Sequence, residues 1–99
     1  MKSKQKNTTR SDKYRISETD QFRKKISLSD FSIVTNKLHD YVYPQLQRNP
    51  FFGLNIKRLR GKEFENVYRY RIGQFRLFFT VVDPRTVVIF DIQYRKDAY

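Results

Sequence analysis

The spacing of apolar residues changes character along this chain. Up to about residue 48 it follows the three-and-four rhythm of helices, and from about residue 64 it follows the two-residue rhythm of strands. Phe22 and Ile26 fall on one side of a first predicted helix, about Glu18 to Leu28, with Arg23, Lys24 and Lys25 largely on the other. Ser17 and Asp20 stand in capping-box spacing at its start, with Asp in place of the usual Glu or Gln. Ser29-Asp30 signals a second helix whose stripe is Phe31, Val34, Leu38, Tyr41 and Val42. Pro44 removes a backbone donor and disfavours helix at Tyr43, so this helix is predicted to end or kink there before Gln45 to Arg48. Asn49-Pro50 is a firm break.

Strands are predicted at Lys13 to Ser17, Glu65 to Ile72, Phe75 to Val82 and Thr86 to Tyr94, with Asp83-Pro84-Arg85 as a turn and residues 51 to 62 as a crossover. The run Phe75 to Val82 is apolar on both faces, as suits a central strand covered on both sides. The helix pair supplies one cover, and a partner chain is the expected second. The predicted fold is α+β: a two-helix hairpin packed on one face of a mainly antiparallel four-stranded sheet, in the order β-α-α-β-β-β.

The chemistry concentrates in Tyr68-Arg69-Tyr70-Arg71-Ile72-Gly73-Gln74-Phe75-Arg76. Strand side chains alternate between faces, so Arg69 and Arg71 share one face while Tyr68, Tyr70 and Ile72 share the other. Gly73 supplies the positive φ of a tight hairpin, and the returning strand brings Arg76 close to the first two arginines. Three guanidinium groups on a rigid sheet make a phosphate site. The plainer reading of the same alternation is a solvated charged face that keeps a sheet edge soluble.

Composition points the same way. The 99 residues carry a formal net charge of +11, and the sequence pI is near 10.1; such a field draws nucleic acid, an anionic surface or an acidic protein. Residues 1 to 12 hold Lys2, Lys4, Lys6 and Arg10 with nothing apolar after Met1, and they are expected to form a disordered basic tail ahead of a single domain at 13 to 99. No run is apolar enough to span a membrane and the N-terminus lacks a signal-peptide core, so a cytoplasmic, membrane-free protein is expected. Without cysteine, and with His39 as the single histidine, no metal centre and no cofactor are expected. His39, mid-helix beside Asp40, reads as a surface residue.

The element order, Asn49-Pro50, the basic Lys57-Arg58-Leu59-Arg60-Gly61 segment, the Tyr-Arg-x-Arg-x-Gly-x-Phe-Arg hairpin and the closing Arg95-Lys96-Asp97-Ala98-Tyr99 together resemble the RelE/ParE superfamily of bacterial toxins from type II toxin-antitoxin operons. The resemblance covers about residues 13 to 99, and it implies one of two activities. RelE-like members are ribosome-dependent mRNA endoribonucleases that inhibit translation; ParE-like members inhibit DNA gyrase without enzymatic activity. A non-toxic basic RNA-binding module is the third reading.

Carried over residue by residue, the RelE pattern puts catalytic groups at Arg69, Arg71, Arg76, Arg95 and Tyr99. RelE itself has lysines at the first two of these positions. Guanidinium has too high a pKa to shuttle protons easily, so charge stabilisation is the role these arginines retain. Lys57, Arg58, Arg60 and Lys62 are the expected contacts to ribosomal RNA phosphates, or equally a basic loop that meets the antitoxin. The implied partners are a cognate acidic antitoxin, together with the ribosome and mRNA or, in the alternative, DNA gyrase.

Overall fold

In the computed structural model, which describes residues 13–97, the chain folds as five strands and a set of short helices. Strand β1 (Arg15–Glu18) leads into helix α1 (Asp20–Ile26). The second helical stretch is broken into α2 (Ser29–Ser32), α3 (Thr35–Lys37), a π-helical turn (Leu38–Val42) and α4 (Tyr43–Arg48). Strands β2 (Ile56–Arg58), β3 (Val67–Ile72), β4 (Phe75–Val82) and β5 (Thr86–Tyr94) follow, and Arg95–Asp97 forms a closing 3-10 turn.

The sheet runs β1-β5-β4-β3-β2, with β1 parallel to β5 and every other pair antiparallel. It therefore has five strands where four were expected. The added strand, Ile56-Lys57-Arg58, lies in the segment expected only to cross over, pairing with Tyr68 to Tyr70 at the sheet edge. Three residues, two of them cationic, carry almost no periodic signal, and short charged strands are how natural sheets blunt an edge. The expected basic tail at 1 to 12 lies outside the described residues.

Pro44 acts just upstream of itself. Its ring has no N–H to give, and the chain answers with a wider turn in which the Tyr43 N–H bonds to the Leu38 carbonyl, five residues back. Helical character then resumes to Arg48, so the proline bends the stretch without ending it. At the first helix the cap differs from expectation: Thr19, not Ser17, is the N-cap, and its hydroxyl accepts from the Phe22 N–H at 3.1 Å. Ser17 is inside β1 and committed to the sheet.

The helices cover one face of the sheet. Phe22, Leu38 and Leu46 meet Leu77, Phe79, Val87, Ile89 and Ile92 in a core where each is essentially inaccessible to water. Tyr43 is buried with them, its hydroxyl donating to Glu18 at 2.6 Å; burial, then the neighbouring carboxylate, pushes the tyrosine pKa far up, so it stays protonated. A lid of rings, Phe31 over Phe75 and Tyr94, closes the core at the Gly73 end of the sheet. No helix among the described residues is long and apolar enough to cross a membrane.

These caps lead to a direct test. Thr19→Ala is expected to cost about 1 kcal/mol in urea unfolding, whereas Ser17→Ala should stay within about 0.5 kcal/mol of the parent. Equal losses at both positions would mean the helix starts where the sequence pattern alone placed it.

Candidate functional site: a cationic sheet face

The β3–β4 hairpin turns on Gly73, at φ 54°, with Ile72 paired to Phe75 on either side of a two-residue loop. That register sets Arg71 directly opposite Arg76 and Arg69 opposite Phe78. Directly opposed residues in an antiparallel pair project on the same side, so the three arginines share a face and Tyr68, Tyr70 and Ile72 face the helices. Strand β2 extends the row, since Lys57 stands opposite Arg69. The sheet face away from the helices thus carries Lys57, Arg69, Arg71 and Arg76, with Phe78 among them.

The four cations are not equivalent. Arg71 is exposed and Arg69 half-buried. Arg76 is only 5% exposed, and its Nη1 donates to the Gly73 and Phe75 carbonyls at 3.0 and 2.9 Å. Those bonds fold the guanidinium back over its own turn, so Arg76 braces the hairpin as well as charging the face. Its buried Nε has no hydrogen-bond partner among the described residues.

Strand β5 completes the face through a bulge. Phe78 pairs with Asp91 but Phe79 pairs with Ile89, which leaves Phe90 as the extra residue. Past the bulge the alternation is inverted: Ile92 enters the core, while Asp91 and Gln93 come alongside Phe78 and Arg76. Asp91 is held by three donors, Lys25 Nζ at 2.9 Å, Gln93 Nε2 at 2.8 Å and the Ile92 N–H at 2.8 Å. Its carboxylate is therefore tied up in the scaffold.

The remaining expected site residues are dispersed. Arg58, Arg60 and Lys62 line a separate open hollow with Leu59, Gly61 and Glu65, beyond the edge strand. Arg58 opposes Tyr68, on the strand face opposite to Lys57. Arg95 is exposed beyond the end of β5, where its N–H bonds to the Gln74 carbonyl at 2.7 Å, close to the hairpin turn. Tyr99 lies outside the described residues. His39 is exposed, its ring edge-on to Tyr43.

Sequence proximity groups Lys57 with its loop neighbours and does not point to Phe78, Asp91 or Gln93. Phe78 was within reach, being two residues from Arg76 on one strand. Asp91 and Gln93 were not, because strict alternation along β5 puts them on the core side and only the bulge reverses it.

A family model described as the ParE toxin of the type II toxin-antitoxin system, parDE, matches residues 12–99. Among solved structures, the RelBE2 toxin-antitoxin complex from Mycobacterium tuberculosis is similar with a TM-score of 0.67 at 24% identity, over 86% of this chain and 94% of that one. A YoeB/ParE toxin from Agrobacterium tumefaciens gives a TM-score of 0.63 at 16% identity, over 81% of this chain and 97% of that one. An archaeal RelE-RelB complex from Pyrococcus horikoshii gives 0.54 at 22%, over 86% of this chain and 98% of that one. At such identities the likeness is one of fold. No curated protein matches the chain in sequence.

The unequal burial of the arginines is measurable. Arg76→Ala removes the donor from two hairpin carbonyls and should cost about 1 to 3 kcal/mol in urea unfolding, whereas Arg71→Ala should change stability by no more than about 0.5 kcal/mol. An Arg76→Ala protein as stable as the parent would show that the brace contributes nothing.

Proposed function

The chain belongs to the ParE toxin family of type II toxin-antitoxin systems, and on that premise we propose that its cationic sheet face cleaves mRNA on the ribosome and that an acidic antitoxin silences it. The observation that carries this reading is the row Lys57, Arg69, Arg71 and Arg76 on one face of a rigid hairpin, with Phe78 between them. Phosphate contacts from cations and stacking from an aromatic ring are the two elements of single-strand recognition.

The reaction suited to such a site is attack of an RNA 2′-hydroxyl oxygen on the adjacent phosphorus. The new P–O bond forms as the bond to the 5′-oxygen breaks, and the proton lost from the 2′-hydroxyl is balanced by one delivered to the leaving 5′-oxygen. The products are a cyclic phosphate and a free 5′-hydroxyl. Arg69 and Arg71 stabilise the charge that grows on the non-bridging oxygens, which fixed donors do best in a site that need not reorganise. Arg76, pinned by its carbonyl bonds, sets the end of that row. Tyr99 is the family-implied base or stacking group, and Arg95, beside the hairpin turn, is the matching cation at that end.

Alignment of the mRNA by the ribosome offsets a modest site, since orientation alone contributes roughly 7 to 11 kcal/mol. Arg58, Arg60 and Lys62, gathered in their own hollow, would hold ribosomal RNA phosphates and make association strongly salt-dependent. The antitoxin is supported by the fold-similar RelBE2 and RelE-RelB structures, both toxin-antitoxin complexes, and by a net charge of +11 that an acidic chain complements.

A second reading has its own support. Asp91, a carboxylate on this face, is already engaged by three scaffold donors, and the matching family carries the ParE name. Both favour a toxin that binds DNA gyrase through the same face without chemistry.

Induction in bacteria with primer extension of mRNA 5′ ends separates the two. The nuclease reading expects cuts within translated frames that vanish with Arg71→Ala, a variant expected to keep the parent's stability, and that weaken with Tyr99→Phe. Growth arrest with intact mRNA and a DNA-damage response would sink it in favour of gyrase.

A further inference from the structure

A cavity of about 220 Å³ opens at the end of the sheet away from Gly73. Three rings from distant segments wall it: Tyr14 ahead of β1, Phe51 beyond Asn49-Pro50, and Tyr68 on β3. Tyr14 stands edge-on to Phe51 with centroids 6.0 Å apart, Phe51 edge-on to Tyr68 at 5.6 Å, and Tyr68 lies flat on Phe79 at 5.4 Å. The rim is polar, formed by Asn66, Asp83 and Arg85. Two rim residues hold left-handed backbone, Asn66 at φ 61° and Arg85 at φ 41°, a conformation that asparagine tolerates and arginine seldom adopts.

Ring walls with a few convergent polar groups are the makings of a small-ligand site. Size and charge narrow the occupant. The cavity is smaller than the roughly 300 Å³ at which drug-sized pockets begin, so it takes one planar ring system and little more. A cation is disfavoured because the Arg85 guanidinium already sits over the Tyr14 ring, 5.1 Å from its centre. A bare anion is disfavoured by the Asp83 carboxylate. A flat ring with donors on its edge and a phosphate beside it satisfies all three: walls of rings, an acceptor at Asp83, a cation at Arg85. Among nucleobases, guanine presents adjacent N–H and NH₂ donors that match the two oxygens of a carboxylate.

We propose that this cavity binds the base of a guanine nucleotide, free or within RNA, with Asp83 accepting from the base edge and Arg85 meeting the phosphate. The site is separate from the cationic face: Tyr68 projects toward the helices, and Asn66, Asp83 and Arg85 lie at the opposite end of the strands from Arg71 and Arg76. It holds whether the toxin cuts mRNA or binds gyrase.

The test is an amide NMR titration of the full chain with guanosine monophosphate, uridine monophosphate, guanosine, and short single-stranded RNAs with and without one guanine. Guanosine monophosphate should shift the amides near Asn66, Tyr68, Asp83 and Arg85, and uridine monophosphate should bind about tenfold more weakly, the discrimination of one good two-pronged base contact. Asp83→Asn should erase that preference. Arg85→Gly relieves the left-handed backbone and so keeps the fold; it should reduce guanosine monophosphate to the affinity of guanosine. Tighter binding of the guanine-containing RNA than of the mononucleotide identifies RNA as the source, and equal binding identifies the free nucleotide. Shifts confined to the Arg69, Arg71 and Arg76 segments, equal response to both mononucleotides, or no response at millimolar ligand each overturn the proposal.

Discussion

A two-residue turn at Gly73 locks β3 against β4, and most of what this molecule presents to the outside follows from that register. Side chains in a strand repeat every second residue, so a slip of one position would carry Arg69 and Arg71 into the helix-covered core and expose Tyr70 and Ile72. The penalty for such a slip is severe, because a guanidinium cannot be stripped of water without partners. The apolar face and the cationic face thus enforce each other. Arg76 adds to the lock from the returning strand, with its guanidinium bonded to the carbonyls of the turn it follows.

The Phe90 bulge matters as much on the other side of β4. It lets β5 supply Val87 and Ile89 to the core before it and Ile92 after it, although two residues, not one, lie between the last pair. The same half-step turns Asp91 toward the cationic face, where Lys25 from α1 reaches it and lies 5.5 Å from the Phe31 ring centre. Helix α1, the lid ring and the edge of the sheet are joined at one carboxylate. Asp91 also offsets part of the positive charge beside Arg76 and Gln93, which eases the crowding of like charges on a single sheet face.

Charge and scaffold are therefore divided among residues of one kind. Arg71 is exposed, Arg69 is half-covered, and Arg76 is bound into the hairpin. The hairpin carbonyls hold the Arg76 donors in place, whereas Arg71 stays exposed. The second cluster of cations, Arg58, Arg60 and Lys62, lies past the short edge strand and addresses a different direction.

Local and periodic features were legible in the sequence. The strands at 75–82 and 86–94 have the bounds that alternation and turn residues gave them, Gly73 adopts the positive φ that the hairpin demanded, and Arg69 and Arg71 share a face because period two leaves no other choice, with Arg76 set beside them by the two-residue turn. What the residues could not declare were features that depend on contacts between distant segments. The edge strand at 56–58 exists because β3 offers it a ladder. The helix cap moved from Ser17 to Thr19 because the Thr19 N–H closes on the Ile89 carbonyl and Ser17 pairs with Val88. The bulge at Phe90, which decides the facing of Asp91 and Gln93, arises from fitting two strands to one core. The burial of Arg76 was equally hidden, since a strand pattern gives the side of a residue but not what covers it. Propensity and period act over a few residues and are written in the chain; register, bulges and burial are set by long-range packing, and only the folded structure decides them.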